Sequence, residues 1–140
     1  MQPAFTPTFT NFNQQIILVS CAVSSCHAPP AGPAVGNLDL KTSPYAALLG
    51  ADGGGVPATD IGEPYNYTYN GMLLVKPGDP ANSLLYQKLA AGLGAASECV
   101  QTPTGACQYG QHMPNVAGEV LGASYVEAVR EWIADGAKNN

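Results

Sequence analysis

A thiol stands directly before an imidazole at Cys26-His27, and a second thiol, Cys21, lies five residues upstream. The segment reads Cys21-Ala22-Val23-Ser24-Ser25-Cys26-His27, and no other feature narrows so far what the chain can fold around. Two cysteines beside a histidine suit covalent haem: the thiols add across the two porphyrin vinyl groups and the adjacent imidazole falls on the iron. The common spacing is C-x-x-C-H, which puts the first Cys and the His four apart on one helical face. Here they are six apart, and an ideal helix does not align them. The spacing therefore predicts that residues 23–25 bulge from the helix so that both sulfurs still reach the porphyrin. Two plainer readings compete: a Cys21–Cys26 disulfide beside an incidental histidine, and half of a zinc site. A closed zinc site takes four N or S ligands, and the remaining thiols, Cys99 and Cys107, sit far downstream and eight apart.

A haem iron held by His27 needs a second axial ligand, and the tripeptide His112-Met113-Pro114 offers one. A thioether is a soft donor that favours reduced iron, and His/Met ligation raises the reduction potential relative to His/His. Gly110 before Met113 allows a tight approach, and Pro114 after it stiffens the backbone. The plain role for Met113 is core filler, and His112 is the competing ligand. Cys99 and Cys107 close a short loop, read as a disulfide that stiffens the segment presenting Met113. Free thiols or an added metal are the alternatives. A ligating histidine usually donates its second N–H to a carbonyl or carboxylate, and a carbonyl among Pro29, Pro30 and Pro33 is the expected acceptor.

Charge excludes one large class of partners. There are five basic residues against ten acidic ones, for a net charge of −5, and phosphate binding needs clustered Lys and Arg. Nucleic acid is thus not an expected partner, whereas a redox protein with a basic docking face is. Charged residues are 11% of the chain, against roughly 25% in an average protein. No stretch approaches the roughly 20 apolar residues of a membrane span. Paired cysteines and covalent haem point to an oxidising, periplasmic or otherwise extracytoplasmic setting, with the export signal not present in this sequence.

The 16 glycines and 12 prolines make up a fifth of the 140 residues. They divide the chain into three to five short helices joined by long loops, with no strong strand. Residues 1–9 read as an extended arm, and 10–140 as one domain. A first helix, capped by Thr10 or Asn11, carries Phe12, Ile16, Ile17 and Val19 into Cys21. Ser43-Pro44 opens a second that Gly50 stops. Asp79-Pro80 opens a third through Ser83, Leu84, Leu85 and Leu89. Ser124 to Glu127 reads as a capping box for the last, whose stripe is Tyr125, Val126, Val129, Trp132 and Ile133, closed by Gly136. The alternating Tyr65, Tyr67 and Tyr69 suggest a short extended segment.

Several of these pieces, taken in order, resemble single-haem c-type cytochrome domains, in particular the planctomycete-type cytochrome c family and its bacterial relatives. They are Cys26-His27, Gly36-Asn37-Leu38-Asp39-Leu40, Val75-Lys76-Pro77-Gly78-Asp79-Pro80 with Ser83-Leu84-Leu85, Met113-Pro114, and Trp132-Ile133-Ala134-Asp135-Gly136-Ala137. The resemblance implies an all-α cytochrome c fold, haem c bound by thioethers from Cys21 and Cys26, His27 and Met113 as axial ligands, and one-electron transfer without enzymatic turnover. The widened thiol spacing and the long segments at 51–74 and 92–111 depart from the family pattern. Two other settings stay open: a fixed haem subunit of a larger, membrane-bound redox complex, and a haem sensor or peroxidase whose sixth ligand is displaceable.

Overall fold

The computed structural model describes residues 1–23, 26–30, 32, 37–63, 66–91, 113–114 and 121–140. These residues are helical and contain no sheet, in keeping with an all-α chain. Helix α1 spans Phe9–Phe12 and passes without a break into a π-helical segment over Asn13–Cys21. After it come α2 (Pro44–Leu49), α3 (Leu84–Ala91) and α4 (Ala123–Ala134).

The first helix begins earlier than the expected Thr10 or Asn11 cap. Thr8 is extended, at φ −120° and ψ 157°, and its hydroxyl accepts the Asn11 N–H at 3.2 Å. This satisfies one of the amides that a helix start leaves open. The chain then widens to π winding, each turn of which takes up an extra residue. The Ala22 N–H reaches back five residues to the Ile17 carbonyl at 2.7 Å. The widening corrects the expected apolar stripe. Phe12, Ile16 and Ile17 are buried, but Val19, which α-helical spacing would stack on Ile16, turns outward and is 63% exposed. Cys21 comes round to the inner side and packs against the core.

The core lies where the two ends of the chain meet. Trp132 of α4 packs against Phe9 and Phe12, with ring centroids 5.6 and 5.2 Å away, and donates its indole N–H to the Lys138 carbonyl at 2.9 Å. Tyr45 of α2 stacks edgewise on Phe9 and donates its hydroxyl proton to the Ala137 carbonyl at 3.0 Å. Buried Trp132 and half-buried Tyr45, whose polar tips find backbone partners, anchor this core. The N-terminal segment is tied down as well, since the Ala4 N–H bonds the Ser124 carbonyl at 2.8 Å.

In α4, Val126, Val129, Trp132 and Ile133 are buried as the stripe predicts, while Tyr125 lies partly exposed against Phe5. The Ser124–Glu127 capping box does not form. The helix starts one residue before Ser124, behind Gly122, with no side-chain cap. Glu127 is engaged instead by Arg130, whose guanidinium bonds both carboxylate oxygens at 2.9 and 2.6 Å.

Pro44 opens α2, and Gly50, at φ +75°, ends it. At the third helix Asp79 accepts the Asn82 N–H as expected, but Pro80–Asn82 wind as a 3₁₀ turn. The α-helix itself starts at Leu84. Its first amides are satisfied by a neighbouring segment: Leu84 and Leu85 N–H donate to the Leu73 and Leu74 carbonyls at 3.0 and 2.9 Å. The end of the excursion that precedes the third helix is thereby pinned to α3. Tyr65 lies outside the described residues. Around Tyr67 and Tyr69 the extended pairing amounts to two isolated antiparallel bridges, Pro57 with Leu73 and Ile61 with Tyr67.

Candidate functional site

Two backbone hydrogen bonds join Cys26 and His27 to the end of the π-helical segment and the residues just past it. The His27 N–H donates to the Cys21 carbonyl at 3.0 Å, and the Cys26 N–H donates to the Val23 carbonyl at 3.0 Å. These bonds draw His27 back beside the end of the π-helical segment. Ser24 and Ser25, on which the expected bulge falls, lie outside the described residues.

His27 is clamped on both its main chain and its ring. Its carbonyl accepts the Leu40 N–H at 2.8 Å, and its Nδ1 is 3.0 Å from the Leu38 carbonyl. The acceptor is therefore Leu38 and not a carbonyl among Pro29, Pro30 and Pro33. Asn37 has a φ of +55°, and its N–H bonds the Gly32 carbonyl at 3.0 Å. Residues 38–40 thus run alongside His27. With a proton on Nδ1 bonded to Leu38, Nε2 carries the lone pair a metal would use. Burial pushes the imidazole below its ordinary value, the Leu38 bond acts the other way, and the Lys88 charge lowers it further. The net effect favours the neutral imidazole.

A cavity of about 590 Å³ opens in front of this ring. Its size lies in the range of chambers that hold cofactors. Cys21, His27 and Met113 all line it, and the rest of the wall is mainly aliphatic, including Leu48, Leu84 and Leu89. Met113 is placed by its backbone, its N–H donating to the Lys88 carbonyl near the end of α3 at 3.1 Å. A thioether and an imidazole from distant parts of the sequence thus share one chamber.

The two thiols are not equivalent. Both are free and half-buried, but Cys21 lines the cavity and Cys26 does not. Burial, reinforced by Cys26, pushes the Cys21 thiol up to about 12, so it stays protonated at neutral pH. His112, Cys99 and Cys107 lie outside the described residues. Among the described residues no three His, Cys, Asp or Glu side chains come together as a site for a bare metal ion. No helix among them is long and apolar enough to cross a membrane.

Two lining residues are not among the candidate site residues read from the sequence. Tyr69, 3% exposed, and Lys88 both face the cavity, with the Lys88 ammonium 5.6 Å above the Tyr69 ring. A signal for Lys88 does exist. It sits three and four residues after Leu85 and Leu84, so helical geometry places a charge on the apolar face of α3. No protein-family model matches the chain, and comparisons with curated proteins and with solved structures give no match.

Proposed function

We propose that this chain is a cytochrome c-like electron carrier that binds one haem covalently, with His27 and Met113 as axial ligands and Cys21 and Cys26 as the thioether donors. The observation that carries the reading is the convergence of an imidazole, a thioether and a thiol on one mainly apolar chamber of about 590 Å³. Three of the four donors fit the group: imidazole and thioether are a pair that can hold low-spin haem iron, and the Cys21 thiol beside them could supply attachment, while Cys26 lies outside the cavity lining. When bound, the haem supplies a reversible one-electron couple.

The protein contributes position and environment. The Leu38 carbonyl fixes the tautomer and the plane of His27, which supports the basicity of Nε2. The Lys88 carbonyl fixes the main chain of Met113. Aliphatic walls exclude water and keep the local dielectric low, which favours the less charged, reduced state. If His27 and Met113 both held the iron, no position would be left open for a substrate, and the function would be transfer of an electron rather than turnover. The net charge of −5 suits a redox partner with a basic docking face in an extracytoplasmic compartment.

The test is a visible spectrum of the protein produced with haem-attachment machinery, and then acid–organic extraction. A low-spin haem spectrum that stays with the polypeptide after extraction is the expected result. A colourless protein, or a pigment that passes wholly into the solvent, refutes the reading.

A further inference from the structure

Both peptide units that flank Asp39 are bonded to His27. The Leu38 carbonyl, in the unit before it, lies 3.0 Å from the ring Nδ1, and the Leu40 N–H, in the unit after it, donates to the His27 carbonyl at 2.8 Å. Each unit is planar, so its direction turns only at the α-carbons on either side. The α-carbon common to both is that of Asp39. Its two backbone dihedrals therefore set how the ring and the main chain of His27 are held together.

Those dihedrals are held from outside the His27 contact. The Asp39 carboxylate is bonded forward along the chain: Oδ1 accepts the Lys41 N–H at 2.8 Å and the Thr42 N–H at 3.1 Å, and Oδ2 accepts the Thr42 hydroxyl at 2.6 Å. An aspartate bonded to the amides that follow it closes a turn with its own side chain. The flanks are anchored as well. Leu40 is 4% exposed, Leu38 packs against the core, and Asn37, in the left-handed region at φ +55°, is tied to the Gly32 carbonyl at 3.0 Å. The carboxylate thus braces the one joint through which the Leu38 carbonyl and the Leu40 amide move against each other. His27 and residues 38–40 all line the cavity.

A turn of the same kind occurs at Asp79, whose carboxylate accepts the Asn82 N–H and side-chain amide at 3.3 and 2.7 Å. The peptide units beside Asp79 bond to Lys76, Asn82 and Ser83, so that turn braces a different part of the chain.

We infer that Asp39 is a positioning residue for His27, whose carboxylate closes the 39–42 turn and so aims the Leu38 carbonyl at the ring Nδ1, leaving the lone pair on Nε2. For what that lone pair holds, the inference rests on the haem reading above; for the ring held by a turn, it rests on these contacts alone.

The experiment compares Asp39→Ala and the isosteric Asp39→Leu, which remove both acceptor oxygens, with Asp39→Asn, which keeps Oδ1 for the two amides, and with Asp79→Ala, which opens the other turn. A visible spectrum first shows whether haem is bound. In the reduced, haem-loaded protein, NMR then follows exchange of the His27 Nδ1 proton with solvent. A hydrogen bond of ordinary net strength changes an equilibrium by about fivefold. Asp39→Ala and Asp39→Leu should therefore speed the exchange about fivefold, with Asp39→Asn and Asp79→Ala within about twofold of wild type. The inference is overturned if whichever acceptor-free variant folds stays within twofold of wild type, or if Asp39→Asn behaves like it. It is also overturned if Asp79→Ala speeds the exchange as far, which would make the effect one of general stability. A colourless protein refutes the haem reading alone. The same variants are then compared in mildly alkaline solution, where an imidazole is neutral and its ring nitrogen shifts give the ratio of the Nδ1–H to the Nε2–H form. Signals of His112 are recognised by their loss in His112→Gln. The ratio should fall about fivefold in Asp39→Ala and Asp39→Leu and stay within about twofold in the other two, and an unchanged ratio overturns the inference in that form of the protein.

Discussion

Ser83 is a fully buried polar residue, at 0% exposure, and removing its hydroxyl should cost the protein about 2 kcal/mol. Its Oγ accepts the Lys76 N–H at 2.7 Å and donates to the Asp79 carbonyl at 2.9 Å, bracing the turn that precedes α3. In Ser83→Ala the part-buried Lys76 N–H loses that acceptor, and the Asp79 carbonyl loses a donor. A buried donor left unsatisfied costs about 1–3 kcal/mol, and the second, weaker loss adds about 0.5–1 kcal/mol. Against this stands the desolvation no longer imposed on the hydroxyl itself, which brings the net to about 2 kcal/mol. For a chain of this length that is a fall in Tm of about 4–10 °C. Urea unfolding of wild type and variant should show a lower midpoint with an unchanged slope, because the surface exposed on unfolding is the same. A loss below about 0.5 kcal/mol would mean that water or the relaxed turn replaces the hydroxyl, and the bracing argument would be wrong.

The same geometry sets three further outcomes. Gly55, at φ +105°, has the Val75 carbonyl oxygen only 2.5 Å from where a Cβ would stand; Gly55→Ala should therefore destabilise by about 2 kcal/mol or more in chemical denaturation, and a neutral effect would refute the close approach. Burial first, then Tyr67 and Asp60, push the Tyr69 phenol up to about 12 from 10.0. The folded chain then binds more protons than the unfolded one between pH 10 and 12, so stability from this group is complete below the lower value and is lost as the pH rises through that window, by roughly 2 kcal/mol. Ultraviolet titration should show a late-ionising phenol that is absent in Tyr69→Phe; its persistence in that variant would refute the assignment. Met113→Ala in the haem-loaded protein should open the sixth position, so that the reduced form binds carbon monoxide within seconds while the wild type does not, and an unchanged spectrum would move the ligand elsewhere.

Several local features were legible because they are settled within a few residues. Pro44 behind Ser43 opens a helix, since proline's fixed φ and missing N–H suit the first helical position. The stripe of Val126, Val129, Trp132 and Ile133 marks a helix with one buried face by its period alone. The capping box at Ser124–Glu127 misled because Arg130 and Gly122 offered the chain a different helix start and Glu127 a different partner. The outward turn of Val19 was hidden for another reason: α and π winding differ by one residue per turn, and composition does not choose between them.

The thiol–imidazole run, the acidic balance, the helical periods and the presence of a downstream thioether are properties of the sequence by itself, since each depends on residue identity and short spacing. Their meeting belongs to the tertiary structure. The loop closed from His27 to Cys21, the choice of Leu38 as the partner of the His27 ring, the seat of Met113 on the Lys88 carbonyl and the half-burial of the Lys88 charge each link groups that the sequence does not pair. Local propensity carries no information about such pairings. They are decided when the chain buries its apolar surface around Trp132 and leaves, between α3 and the returning 37–40 segment, a chamber that those side chains share.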